Sequence, residues 1–151
     1  MKLKSIPNVT KFIDKGYKWK PMYGYPQNKV YTNANTKLYE VFDVVPKYIK
    51  KYADKHFKIY STSMIKQPPG QIIPEHNDTY YKFKKKHNID KNVVRFCIFL
   101  EDWKSGHCFE INNKSIAHWK AGNYLVLKHK HRGANIGNEF KYTAQITGIL
   151  Q

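Results

Sequence analysis

The 151-residue sequence predicts a mainly β fold, two antiparallel sheets packed on each other beside a short helical N-terminal layer. Three observations carry that expectation. After residue 56 the apolar spacing falls to a period of two, and "FKIYSTSMI", "GQIIPEHND", "NVVRFCIFLE", "HCFEI", "NYLVLKH" and "FKYTAQITGIL" all read as strands. Turn clusters separate them: "QPPG", "DWKSG", "INNKS", "KAGN" and "GANIGNE". Six or more short strands at this spacing suit a sandwich or barrel. Apolar residues at 41% and aromatics at 15% argue against disorder, and the length suits one domain with a core and a pocket.

In chain order, residues 1–35 are rich in Tyr, Lys, Pro and Asn and read as turns with one or two short strands. The stretch "TKLYEVFDVVPKYIKKYADKHF" has helical spacing, with Leu38, Val41, Phe42 and Val45 on one face and Tyr48, Ile49 and Tyr52 on another. Pro46 suits only a first helical turn, so two short helices are expected, the second running to about Lys55. Within "VVRFCIFL", alternation gives Val94, Phe96, Ile98 and Leu100 one buried face and sends Arg95 to the other, into solvent or a pocket. Within "FKYTAQITG", Lys141 and Thr143 share a face, with Tyr142, Ala144 and Ile146 opposite; Val126 is expected to be buried as well.

Composition narrows the function classes. No apolar run approaches the roughly 20 residues that span a bilayer, and "MKLKSIPNVT" lacks the apolar region of a signal peptide. A cytoplasmic location with no membrane partner is therefore expected. Cys97 and Cys108 are too few for a disulfide framework and read as reduced thiols. The net charge of +16 is spread along the chain, with 13 Lys against 4 acids over residues 1–60 and 14 basic against 7 acidic residues over 61–151. Such charge speeds encounter with nucleic acid, acidic protein segments or carboxylate metabolites, and by itself selects none of them.

The motif that raises a chemical question is "PEHND". On a strand, His76 and Asp78 point to one face, where they can share a metal ion or stand as two solvated side chains. A facial site of two imidazoles and one carboxylate needs a second His from a distant segment. His129 and His131 end the run "NYLVLKHKH" on one face, and ten residues beyond His131 comes Lys141. A Lys on a strand with an apolar opposite face, and a hydroxyl two residues on, makes a mouth for a carboxylate. His87 falls in a Lys-rich loop, while His107 and His118 fall in turns.

The segments "QPPGQIIPEHNDTY", "VVRFCIFLEDWKSGHCFE", "HWKAGNYLV" and "HRGANIGNEFKYTAQITG" resemble the Fe(II)- and 2-oxoglutarate-dependent oxygenases. Their order of turns is similar to the aspartyl/asparaginyl β-hydroxylase-like branch and, closer still, to small prolyl-hydroxylase-like enzymes of phages. The resemblance covers residues 60–150. It implies a double-stranded β-helix (a jelly roll, cupin-like) over residues 56–151, with residues 1–55 supporting it inside one oxygenase domain. It also implies that His76, Asp78 and His131 ligate Fe(II), that Lys141 holds the distal carboxylate of 2-oxoglutarate with Thr143 beside it, and that Arg95 and Gln67 contact the same cosubstrate. The implied reaction uses O2 to hydroxylate a C–H bond of an amino acid, peptidyl (prolyl or aspartyl) or free, with succinate and CO2 as coproducts. For a phage-encoded chain the location becomes the host cytoplasm. Two departures stand out: Asp78 is present where members of the aspartyl branch can lack a carboxylate ligand, and Lys141 replaces an arginine common in close relatives. The rival readings are a non-catalytic cupin-like protein that binds metal and an anion, a basic nucleic-acid-binding module on an OB-like barrel, and a purely structural phage or host-interaction protein.

Overall fold

The computed structural model describes residues 2–22 and 37–151. The turns and strands expected over residues 23–35, and most of the Tyr-rich stretch there, lie outside the described residues. In chain order the elements are β1 (Lys4–Ser5), β2 (Lys20–Pro21), β3 (Tyr39–Phe42), α1 (Lys47–His56), β4 (Phe57–Gln67), β5 (Ile72–His76), α2 (Tyr81–His87), β6 (Val94–Phe99), β7 (His107–Ile111), β8 (Lys114–Ile116), β9 (Asn123–Val126), β10 (His131–Asn135) and β11 (Lys141–Leu150). They form a seven-stranded sheet in the order β1-β9-β6-β11-β4-β3-β2 and a four-stranded sheet in the order β5-β10-β7-β8. Every pairing is antiparallel. The fold is mainly β, a double-stranded β-helix of two facing sheets.

The strands at the centre of the large sheet bury both faces, so alternation there separates two apolar cores. Phe96, Ile98 and Leu100 of the β6 segment join Met64, Ala144 and Ile146 beneath Tyr48, Ile49 and Ala53 of α1. Cys97 and Phe99 point the other way and pack between the sheets with Phe109, Ile111, Trp119, Leu125 and Leu127. Phe99 stacks on Trp119 with ring centroids 3.9 Å apart. Val126 and Tyr142 lie against the helix-side core but are only partly buried, since both sit toward its rim.

Three sequence expectations change. Residues 39–42 form strand β3 and not a first helix, because β4 offers an open edge that pairs Tyr39 with Lys66 and Val41 with Met64. The left-handed φ of 62° at Asp43 ends the strand and rules out helical continuation into Pro46. The Lys-rich run at 82–86 lies in helix α2, closed by Asn88 in the left-handed conformation that asparagine tolerates. His87 turns inward there, with its ring 4.5 Å from that of Phe83 and not out in solvent. Finally, "HRGAN" is a strand, β10, paired on both sides with β5 and β7. The turn "NN" at 112–113 has positive φ at both residues, which is what a two-residue hairpin between β7 and β8 requires.

Ile146 is fully buried at 0% exposure, in the middle of the helix-side core. Truncation to alanine removes packed methyl groups that the neighbouring strands cannot close over. Ile146→Ala is expected to destabilise the protein by about 2–5 kcal/mol, read from the urea midpoint at unchanged slope.

Candidate functional site

Strand β5 delivers His76 at its last residue, and Asp78 follows just beyond the strand end. His131 opens β10, directly opposite His76 in the β5–β10 register. The pairing brings the two rings edge to face with centroids 4.4 Å apart. The donor atoms of His76, Asp78 and His131 all lie within 4.8 Å of one another, the group of metal-binding side chains that the described residues hold.

Backbone hydrogen bonds set the tautomers. Nδ1 of His76 faces the Pro74 carbonyl at 2.8 Å, and Nδ1 of His131 faces the His129 carbonyl at 2.9 Å. A carbonyl only accepts, so each Nδ1 carries the proton and each Nε2 is turned toward Asp78 as an acceptor. His76 Nε2 is 3.5 Å from Asp78 Oδ1, where it can donate a hydrogen bond only when the ring takes up a second proton, and His131 Nε2 is 3.8 Å from Oδ2. Asp78 is buried, and its Oδ2 makes no hydrogen bond. An orphaned carboxylate oxygen facing two imidazole acceptors is a donor set waiting for a cation, and two nitrogens with one oxygen suit a divalent transition metal. His129, the neighbouring candidate, is exposed and contributes its carbonyl, not its ring.

Electrostatics agree with the geometry. Burial opposes ionisation of Asp78, but polar contact with His76 and the charges of Arg95 and His131 outweigh it and hold the carboxyl below its usual range. Burial pushes His131 down, keeping its ring neutral and able to ligate. For His76, burial acts in the same direction but loses to the contact with Asp78 and the Pro74 carbonyl, so its affinity for a proton rises.

Beside the three side chains lies a small cavity of about 40 Å³ between the sheets, walled by His76, His131, Gln67, Lys141, Thr143 and Gln145 among others. Lys141 is at its floor. Its Nζ donates to the Cys108 carbonyl at 2.8 Å and sits over the rings of Phe109 and Trp119 at 5.4 and 5.8 Å. Among the described residues no carboxylate lies within ion-pair distance of this buried ammonium. Burial lowers its pKa to about 8. Gly133 of β10 is the residue that makes room, since a Cβ there would stand 3.2 Å from Lys141 Nζ. Cys97, in the same cavity, stays a neutral thiol because burial pushes it up to about 12.

Gln67 lines the cavity, but its amide nitrogen is committed to Gln71 and to the Gly133 carbonyl. The Asn135 amide donates to the Gln67 and Glu139 carbonyls, at 2.9 and 2.8 Å. This fully buried cluster of Gln67, Gln71 and Asn135 was not legible in the sequence, because amides in "QPPGQ" and "GANIG" look like turn residues. Arg95 departs from its expected place. It binds Asp78 Oδ1 at 3.2 Å and Thr147 Oγ1 at 2.8 Å, with its guanidinium over Tyr80. It lines a neighbouring cleft and not the cavity above Lys141, because alternation along β6 and β11 puts Arg95 and Lys141 at opposite ends of the same sheet face.

No protein-family profile matches the chain, and no curated protein sequence matches it. Similarity appears at the level of structure. The Cnp3 cupin domain of Schizosaccharomyces pombe matches with a TM-score of 0.47 and 10% identity over 74% of this chain, which spans 64% of that one. KdgF from Halomonas sp. matches at 0.50 and 8% identity, covering 91% of this chain and 94% of that one. A viral collagen prolyl hydroxylase from Paramecium bursaria Chlorella virus-1, solved as its 2-oxoglutarate complex, matches at 0.51 and 12% identity over 76% of this chain and 80% of that one. The shared property is the cupin-type double-stranded β-helix. Among the described residues no helix is long and apolar enough to cross a membrane.

The buried ammonium sets a pH dependence with a definite sign. With its pKa lowered from 10.5 to about 8, Lys141 binds fewer protons in the folded chain than in the unfolded one between those values, so its contribution to stability rises with pH there. Below about pH 8 the folded protein carries the full cost of a buried charge, about 3 kcal/mol at ~1.4 kcal/mol per unit. Lys141→Met is therefore expected to be more stable than the ligand-free wild type at pH 7, with the gap closing as pH approaches 10.5. Urea unfolding of both proteins across that range reads it; a gap that stays constant with pH contradicts the burial.

Proposed function

We propose that the protein is an Fe(II)- and 2-oxoglutarate-dependent oxygenase that hydroxylates a C–H bond of an amino acid, free or within a peptide, releasing succinate and CO2. The observation that carries this reading is the orphaned Asp78 Oδ2 facing the His131 and His76 Nε2 atoms, on the wall of a cavity whose floor is an ammonium with no carboxylate partner among the described residues. Its fold is shared with a hydroxylase solved with 2-oxoglutarate, which supports the reading at the level of the fold.

His76 and His131 would hold the metal through Nε2 and Asp78 through Oδ2. Bound there, iron(II) supplies the oxidising chemistry with dioxygen, at the expense of 2-oxoglutarate. The chain's own work is positioning. The Pro74 and His129 carbonyls orient the imidazoles, and Arg95 holds Asp78 ionised and leaves Oδ2 for the metal. Lys141 receives the distal carboxylate of the cosubstrate, with the Thr143 hydroxyl on the same face two residues along. Phe109, Trp119 and Leu127 keep water from that end and strengthen the contact. No acid–base pair takes part, in keeping with a cavity that holds none.

His76→Ala, Asp78→Ala and His131→Ala are each expected to remove most Fe(II) or Mn(II) affinity, while His129→Ala leaves it nearly unchanged. Lys141→Met should weaken 2-oxoglutarate binding tenfold or more, about 1.5–3 kcal/mol for one charge-assisted contact, and leave the metal in place. Anaerobic titration of the Mn(II) protein measures both, followed by a screen for succinate release. Equal 2-oxoglutarate affinity in wild type and Lys141→Met sinks the cosubstrate assignment. Metal and 2-oxoglutarate binding without succinate for any substrate marks the non-catalytic alternative.

A further inference from the structure

Seven of the chain's eleven acids hold a basic side chain: Asp14 with Lys66, Asp54 with Lys50, Asp78 with Arg95, Glu101 and Glu139 with Lys104, Asp102 with Lys120, and Glu110 with Arg132. Of the other four, Asp43, Glu75 and Asp90 are exposed to water. Glu40 is half-buried, and among the described residues its carboxylate has neither an ion pair nor a hydrogen bond. In a chain with 27 Lys and Arg, cations are not scarce. Those around it make no ion pair with it: Lys20, opposite Glu40 in the β2–β3 register, is exposed, Arg95 is committed to Asp78 and Thr147, and Lys82 stands across a cleft on α2.

That cleft, of about 380 Å³, runs between β3, the inner face of the large sheet and α2. It shares Ile65 and Gln145 with the cavity above Lys141, and Arg95 belongs to its wall while touching Asp78. Its floor offers the hydroxyls of Ser61, Ser63 and Thr147. Lys82 and Lys86, one helical turn apart on α2, form the opposite lip. A molecule lying in the cleft therefore meets Arg95 at one end, the half-buried Glu40 carboxylate and the exposed Asp43 along the β3 side, and two ammonium groups on the α2 lip.

We infer that this cleft is a substrate subsite for a basic amino-acid side chain, a lysine or arginine that is free or within a peptide, whose cation is received by Glu40 and whose carboxylate or carbonyl oxygens face Lys82 and Lys86. The inference rests on the oxygenase reading for its chemistry but not for its binding. A half-buried carboxylate is costly without a counter-charge, and a ligand ammonium or guanidinium removes the cost. Burial holds the Glu40 carboxyl above its usual range even with Arg95 and Lys82 acting against it, in line with a group lacking a close partner.

The test is calorimetric titration with L-arginine, L-lysine, Gly-Arg-Gly and Gly-Lys-Gly against the uncharged isosteres L-citrulline and L-norleucine and their tripeptides. It is run on the full chain both metal-free and loaded with Mn(II) and 2-oxoglutarate without oxygen. Cationic ligands should bind at least tenfold tighter than their isosteres, and Glu40→Gln should erase that preference while 2-oxoglutarate affinity holds. Glu40→Asp should keep part of it. Tripeptide binding without free amino-acid binding assigns the peptide form, and the reverse assigns the free one. Equal affinity for arginine and citrulline, or a preference that survives in Glu40→Gln, overturns the inference. Loss of metal or 2-oxoglutarate binding in the wild type alongside a retained cation preference overturns the oxygenase reading alone.

Discussion

The pairing of β11 with β4 governs everything polar in this protein. Ten registered positions, from Lys141 opposite Gln67 to Leu150 opposite Phe57, decide which side chains look toward α1 and which look between the sheets. Because strand side chains alternate, a slip by one residue would exchange the two sets. Lys141 and Thr143 would enter the helix-side core, and Ala144 and Ile146 would line the cavity. Neither state is tolerable, since a buried ammonium without an oxygen partner and an exposed aliphatic row are both costly. The register is thus held by the two cores on either side of the large sheet, and the polar face inherits its order from them.

A polar stripe runs along that inner face, and its parts have different duties. Lys141 and Thr143 form one end, Gln145 the middle, and Thr147 with Arg95 the other. The four-stranded sheet closes over the first end and carries His76 and His131, so the metal-binding side chains meet the stripe near its middle. Strand β3 and helix α2 flank the second end, leaving a wider cleft. One continuous sheet face therefore presents a small dry compartment and an open one, with Asp78 and Arg95 between them.

Charge is distributed with the same economy. Exposed ion pairs such as Lys50–Asp54 and Lys120–Asp102 contribute little to stability and can be exchanged freely. The buried groups are another matter: Asp78 is compensated by Arg95 and two imidazoles, while the buried Lys141 and half-buried Glu40 have no ion-pair partner among the described residues. The net charge of +16 surrounds this arrangement without specifying it. A basic surface raises the encounter rate with anions in general, and the open cleft carries two acids, Glu40 and Asp43, among its basic residues.

By itself the sequence determined whatever depends on local period. Alternation in "VVRFCIFL" and "FKYTAQITG" was enough to place Arg95, Lys141 and Thr143 on one side and Ile98, Ala144 and Ile146 on the other, whereas "HND" and a later His left the metal site and the choice of His129 or His131 open, and it was the family resemblance that nominated the three side chains that stand together. Only the tertiary structure decided where a strand edge would override local preference. Residues 39–42 have helical spacing but become β3 because β4 offers unpaired backbone groups, and "HRGAN" looks like a turn but is held as β10 by partners on both sides. The same holds for long-range polar partners. Arg95 finds Asp78, Asn135 finds Gln67, and Glu40 finds no basic partner among the described residues, outcomes set by distances between segments far apart in the chain. Periodicity reports which face a residue takes; what it meets there depends on the packing of elements that no local window contains.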